Sequence, residues 1–288
     1  MSKLAEPPVE VADGYRAGRT LPFRVELVRQ LKRRRTMVMG GVLFALPIIL
    51  LIAFQVGGDP GGNNNRVNLM DTATASGANF AAVNLFSGAG FLLVIPVALF
   101  CGDTVASEAS WSSLRYLLAA PVPRARLLWS KLAVGLTLSL AALVLLPVVA
   151  LIVGTAAYGW GPLQLPTGGT LPTGTAAQRL LIVVAYIMVS QLVTAALAFW
   201  LSTRTDAPLG AVGGAVFLTI IGSVLDEVTA LGDWRHFLPA HWQYAWLDAV
   251  RPQLEWSDMI QGTSISVTYA LVLFALAFRG FARKDVVS

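Results

Sequence analysis

Six stretches of 19 to 26 residues run without a single Asp, Glu, Lys or Arg, and few solvents let such a chain fold. They cover residues 36–56, 80–102, 132–157, 180–203, 207–225 and 259–278. About 20 apolar residues in a helix cross the hydrocarbon core of a bilayer. Pro47, Pro96 and Pro147 fall inside three of the stretches, which lipid tolerates because neighbouring helices satisfy the freed carbonyls. Only 13% of the chain is charged, about half the share of a soluble domain and too little to cover a water-facing surface. A soluble enzyme, a disordered tail and a disulfide scaffold are excluded. A single cysteine, Cys101, rules out an intrachain disulfide and a multi-cysteine metal site. The expected fold is all-α, a polytopic membrane protein with six transmembrane helices.

Residues 1–22 are polar, hold three prolines and lack an apolar secretion-signal core, so they are expected to form a disordered cytoplasmic tail. From 23 to 35 the pattern changes. Phe23, Leu27 and Leu31 recur at helical spacing beside Val28, and Arg24, Arg29 and Lys32 take the other face. This segment is expected to lie in the headgroup layer with its cations toward anionic lipid. The run Lys32-Arg33-Arg34-Arg35 then abuts the first span. With the N-terminus inside, 17 of the 21 cations fall on cytoplasmic pieces, leaving Arg66, Arg179, Arg235 and Arg251 outside. Both termini are therefore expected in the cytoplasm. The net charge of +5 reads as topology and lipid contact, not as nucleic-acid binding.

The outer segment 226–258 interleaves Trp234, Phe237, Trp242, Tyr244, Trp246 and Trp256 with acids and two histidines. Aromatics with one wet end suit the membrane interface. One or two short helices lying on, or dipping into, the outer leaflet are expected, with Trp234, Phe237, Trp242 and Trp246 as candidates for an outer gate. Gly210 and Gly214 form a Gly-x-x-x-Gly pair, which allows close helix packing and is a candidate helix or subunit contact.

On the inner side, segment 103–131 stands out. Asp103 and Glu108 close the second span, Ser107 or Ser110 can cap a new helix through Tyr116-Leu117-Leu118, and Pro121 and Pro123 stop it. A carboxylate at the bilayer centre costs roughly 2.5–3.5 kcal/mol, which places both acids at the inner interface. The short helix would project Leu114, Arg115, Tyr116 and Leu118 toward a cytoplasmic partner.

Asp103, Glu108, Leu114, Leu117-Leu118, Pro121-Val122-Pro123-Arg124 and Lys131 together resemble the signature region of ABC-2 type transporter permeases, the membrane subunits of bacterial ABC exporters. Ser112-Ser113 stand where that family has Gly-Thr. The resemblance extends along the chain and implies a type V-like permease fold. Its elbow helix would be residues 23–35, with Phe23, Leu27, Leu31, Arg33, Arg34 and Arg35, and its outer re-entrant segment 226–258. It implies a coupling helix near 108–120, with Glu108, Leu114, Arg115, Tyr116, Leu118 and Arg124 engaging a cytoplasmic ATP-binding cassette subunit. Two such subunits and a second permease, identical or not, would complete the assembly in the bacterial inner membrane.

No Gly in the chain is followed by Lys, so a phosphate-binding Gly-x-x-x-x-Gly-Lys loop is absent. The chain is not expected to be an enzyme or to hold a cofactor; ATP and magnesium would belong to the partner. Gln55, Asn84 and Gln191 are the main polar residues inside the spans, a character that suits a hydrophobic or amphipathic cargo, drug-like or lipid-like. Polysaccharide export or metal-site maturation is the alternative within the same family. An ion-coupled transporter normally keeps Asp, Glu, Lys or His within its spans, and these spans have none. A membrane-embedded enzyme would have to use Asp226, Glu227, His236 and His241, whose histidines are spaced wrongly for one helix face.

Overall fold

The computed structural model describes residues 23–57, 69–110, 123–166 and 168–283. A short helix, α1 (Phe23–Leu31), turns at Lys32 and Arg33 into α2 (Arg34–Gly57). Next come α3 (Gly77–Ala89), α4 (Val94–Ser110) and the long α5 (Arg124–Tyr158). A two-residue hairpin of β1 (Leu163–Gln164) and β2 (Thr170–Leu171) leads to α6 (Thr173–Ser190), α7 (Leu192–Arg204), α8 (Pro208–Asp226) and α9 (Ser257–Ala282). Three 3-10 segments, Thr229–Phe237, Pro239–Trp242 and Ala245–Val250, join α8 to α9.

Among the described residues, five helical runs are long and apolar enough to cross a membrane, with α6 and α7 counting as one. The pair α3–α4 adds a sixth if it acts as one span. Outer faces of these helices expose Val38, Ile49, Leu181, Leu209, Phe217 and Leu271. Apolar surface of that extent is costly in water and natural in hydrocarbon. The protein is helical and membrane-embedded.

The stretch 80–102, expected as one helix, is two, bent by 53° between Ala89 and Val94. Its proline explains where the break falls. Pro96 has no N–H for the carbonyl of Leu92, but in the first turn of α4 it leaves no intrahelical bond unmade. The preceding Ser87-Gly88-Ala89-Gly90 has weak helix propensity and yields first. The carbonyl of Ala89 at the break accepts from Gln243 Nε2 at 3.1 Å, so the segment between α8 and α9 satisfies it.

Helix α4 packs on α5, α7 and α8, α7 also packs on α8 and α9, and α2 and α3 lean on α5. The start of α3 is pinned hardest. Ser76 caps it, Asn79 Nδ2 donates to Gln164 O at 2.8 Å, and Asn79 Oδ1 accepts from Gln164 N at 2.9 Å. A Cβ at Gly77 would lie 2.7 Å from the backbone nitrogen of Thr155 in α5, a contact that neither backbone can yield cheaply. Gly77→Ala is expected to destabilise the protein by about 1–3 kcal/mol through overpacking. Gly213→Ala, with nothing within 4 Å of the new methyl, is expected to be neutral or stabilising. Detergent-solubilised thermal unfolding of the two variants checks the contrast.

Candidate functional site

Charge placement sets one end of the bundle. Asp103 and Glu108 do not end a span at its surface: α4 runs through both to Ser110, and they are 3% and 6% exposed. Ser107 and Ser110, expected as caps of a following helix, lie inside α4, where Ser110 Oγ donates to Ser107 O at 3.0 Å. Burial puts a desolvation penalty on both carboxylates, and Glu108, near the end of α4, also meets the negative end of the helix dipole. Both acids therefore need cations close by.

Those cations come from three elements. Lys131, in the second turn of α5 and 3% exposed, donates through Nζ to Glu108 Oε1 and to Glu26 Oε1, each at 2.8 Å. Arg29 of α1 bonds Glu26 Oε1 at 2.9 Å and also Glu108. Gln30 Nε2 adds a third contact to Glu26, at 3.2 Å. Asp103 is held separately, by Arg33 at 2.6 Å and by Arg35. On its other side, Ser202 Oγ of α7 accepts from the backbone N–H groups of Val105 and Ala106. Three acids and four cations thus join α1, α2, α4 and α5. Burial pushes the Glu26 carboxyl up, but Lys131 and Arg29 outweigh it and hold the group below its ordinary value. Burial likewise opposes the charge on Arg29, yet Glu108 and Glu26 raise it overall. For Arg33, burial outweighs Asp103 and the value falls.

This network corrects the orientation expected for residues 23–35. The helix ends at Leu31, and its buried residues are Glu26 and Gln30. Phe23, Val25, Val28 and Leu31 are exposed, Leu27 is half-buried, and the polar side faces protein. Arg29, Arg33 and Arg35 pair with protein acids where lipid headgroups are expected; Arg34 is exposed. Glu26 was the legible signal, the lone acid in a cation-rich segment. Leu114, Arg115, Tyr116 and Leu118 lie outside the described residues, which resume at Pro123. Arg124 opens α5 and donates to Ala282 O at 3.3 Å.

At the opposite end, the aromatic segment divides. Trp242 and Trp246 are buried, whereas Trp234 and Phe237 are 74% and 63% exposed. Tyr186 Oη of α6 donates to Trp242 O at 2.6 Å, and Trp242 Nε1 donates to His236 O at 2.9 Å. His236 and His241, five apart in sequence, meet with ring centroids 4.8 Å apart. The non-helical Gly232 (φ 51°) kinks this segment. His241 Nδ1 lies 2.6 Å from Asp226 Oδ1 at the end of α8. Among the described residues, no group of three or more His, Cys, Asp or Glu is placed to hold a metal. Gly214 meets Leu201 of α7, whose Cδ1 would lie 3.2 Å from an added Cβ; Gly210 would meet only Ala207 and Thr205, its own neighbours. The α8 face that packs inside the chain is Ala211 and Ala215.

A family model described as "Protein of unknown function (DUF2705)" matches residues 43–287. The match takes in Asp103, Glu108 and Lys131 and begins after α1. No curated protein matches the chain.

Removing one partner of a buried ion cluster leaves an uncompensated charge. Lys131→Met is expected to cost about 3–5 kcal/mol. The pair Lys131→Met with Glu108→Gln, which leaves Glu26 against Arg29, is expected to recover part of that loss. A double-mutant cycle by chemical denaturation in detergent measures the coupling, and simple additivity would contradict the network. Because the folded-state value of Glu26 is lowered, its contribution is full above the ordinary 4.5 and fades as pH falls through the lowered value. The stability gap between wild type and Glu26→Gln is expected to close on acidification in that direction, read as melting temperature against pH.

Proposed function

The chain belongs to the DUF2705 family of proteins of unknown function, and within that family we propose that it serves as the membrane permease of an ATP-driven ABC exporter of ABC-2 type. In this reading α3 and α4 act as one broken span, giving six, and both termini face the cytoplasm of a bacterial inner membrane. ATP and magnesium bind a separate cytoplasmic ATP-binding cassette subunit, present in two copies. A second permease subunit completes the transport unit. The cargo is hydrophobic or amphipathic, drug-like or lipid-like, in keeping with spans that carry no acid or base in the six charge-free stretches.

One observation carries the reading: the ion network ties together the helices on either side of residues 111–122. Glu108 lies near the end of α4, Lys131 near the start of α5, and Glu26 and Arg29 of α1 connect them. A force delivered to 111–122 by a partner would reach α4 and α5 together. Separating them would strand buried charges, so they move as a unit with the elbow helix. The sorting of 17 cations toward one face and the lack of a phosphate-binding loop support the same division of labour. The juxtaposition of Asp226, His236 and His241 is structural in this reading, bracing the outer segment against α8.

Co-expression with a cytoplasmic ATP-binding cassette subunit is expected to give a complex that survives purification. Arg115→Glu is expected to abolish that complex and its ATPase stimulation while leaving the melting temperature of the permease unchanged. A wild-type complex and wild-type ATPase activity in that variant would overturn the coupling assignment.

A further inference from the structure

Between α8 and α9 lies a cavity of about 280 Å³, with α7 as its floor and residues 239–243 over one end. That volume falls just below the usual range of about 300–1,000 Å³ for ligand sites, room for a small molecule only. Val94, Leu197, Leu218 and Leu273 give it apolar walls, and no Asp, Glu, Lys, Arg or His lines it. Leu218 of α8 and Tyr269 of α9 line it and are 43% and 42% exposed, so the cavity opens sideways between these two helices.

Three of its six polar side chains are committed. Ser190 Oγ donates to Ile187 O and Thr219 Oγ1 donates to Ala215 O, each at 2.9 Å. Gln243 Nε2 is spent on Ala89 O, and its Oε1 faces Ser223 Oγ at 3.5 Å. Gln191 differs. It is 6% exposed, it separates α6 from α7, and its Oε1 is buried without a hydrogen-bond partner. Among the described residues it is the one lining residue with an unpartnered buried side-chain atom. A buried acceptor left unmade costs free energy that an incoming donor recovers. With no charge on the walls, an ionised ligand would lose its hydration uncompensated.

We propose that this cavity binds an uncharged, largely aliphatic molecule that enters from the bilayer and draws the Gln191 side chain, whose Oε1 is closed off behind the cavity wall in this structure, round to accept one O–H or N–H. As a binding site it stands on the chain alone; as the cargo site of an exporter it rests on the permease reading above.

The test uses the full chain in phospholipid nanodiscs without any ATPase. A medium-chain aliphatic alcohol bearing a diazirine is photocrosslinked, and the sites are mapped by mass spectrometry. The matching diazirine alkane and carboxylate serve as comparison probes. Expected is labelling of α7, α8 and α9 around the cavity by the alcohol, above both comparison probes. Gln191→Leu is expected to cut alcohol labelling about two- to tenfold, the worth of one neutral hydrogen bond. The same variant should melt at or above the wild-type temperature, because it removes an unpaired buried acceptor; a purely structural glutamine would lower it. Gly222→Leu supports the assignment by a second route. Its new Cβ would stand 3.7 Å from Ala240, an ordinary contact, and the rest of the side chain would fill the cavity and suppress labelling. Alcohol labelling equal to that of the alkane, or unchanged in Gln191→Leu or Gly222→Leu, overturns the proposal. Labelling that behaves as expected in a chain that forms no ATPase complex would sink the permease reading and leave the site standing. A coupled complex whose labelling ignores Gln191 would do the reverse.

Discussion

Two carboxylates buried in α4, Asp103 in mid-helix and Glu108 near the end, set the terms for one half of the molecule. Neither lipid nor the C-terminal end of a helix tolerates them unpaired. Each neighbouring element is arranged around that demand. α5 starts early enough to bury Lys131 beside Glu108, and α1 brings Arg29 to the same carboxylate. Arg33 and Arg35 flank the start of α2 to reach Asp103. Glu26 then balances Lys131 and Arg29, so the cluster stays close to neutral. A buried ion cluster of this kind is a weak source of net stability but a strong source of specificity for the arrangement. Any other placement of α1 would take Arg29 from Glu108 and leave Lys131 one carboxylate where it now has two.

Helix α1 shows how charge overrides pattern. Its apolar residues recur on one face, and in a soluble protein that face would seek the core. Here hydrocarbon is available outside, so the apolar side can face lipid at no cost while the polar side is taken up by buried acids. The same logic runs through the broken span. Pro96 is harmless in a first turn, the glycines before it bend, and Gln243 satisfies the carbonyl released at Ala89. Trp242 and Trp246 are buried as the segment between α8 and α9 folds back over that break, whereas Trp234 and Phe237 stay on the surface.

What could be read from the sequence was whatever depends on composition along the chain. Long apolar runs give the helices at 34–57, 173–204, 208–226 and 257–282 nearly where they are expected, because hydrocarbon thickness imposes their length. The acids at 103 and 108 were visible as the charged end of a span, and Lys131 as the cation opening the next. Their mutual pairing was not visible, since it joins positions 23 and 105 residues apart and no local spacing encodes such a contact. The early start of α5 at Arg124 was hidden for a related reason. Arg124, Arg126 and Lys131 look like loop residues until their partners are known. Gln191 was recognisable as a polar exception in a span, but its unpaired oxygen and the cavity beside it arise from the meeting of five helices.

Helix α4 connects the two polar features of the fold. Its 17 residues span about 25 Å at 1.5 Å per residue. Glu108, two residues from one end, belongs to the ion network; Val94, the first residue at the other end, lines the cavity. The bend at 53° separates α4 from α3, so α4 can tilt without carrying the whole span. A tilt driven from the Glu108 end would move Val94 against Gln191, which itself sits at the break between α6 and α7. Both breaks therefore border the same space. In the proposed exporter, a push on residues 111–122 would act on the cavity through one rigid helix, and the strength of that link would depend on the ion pairs that anchor its base.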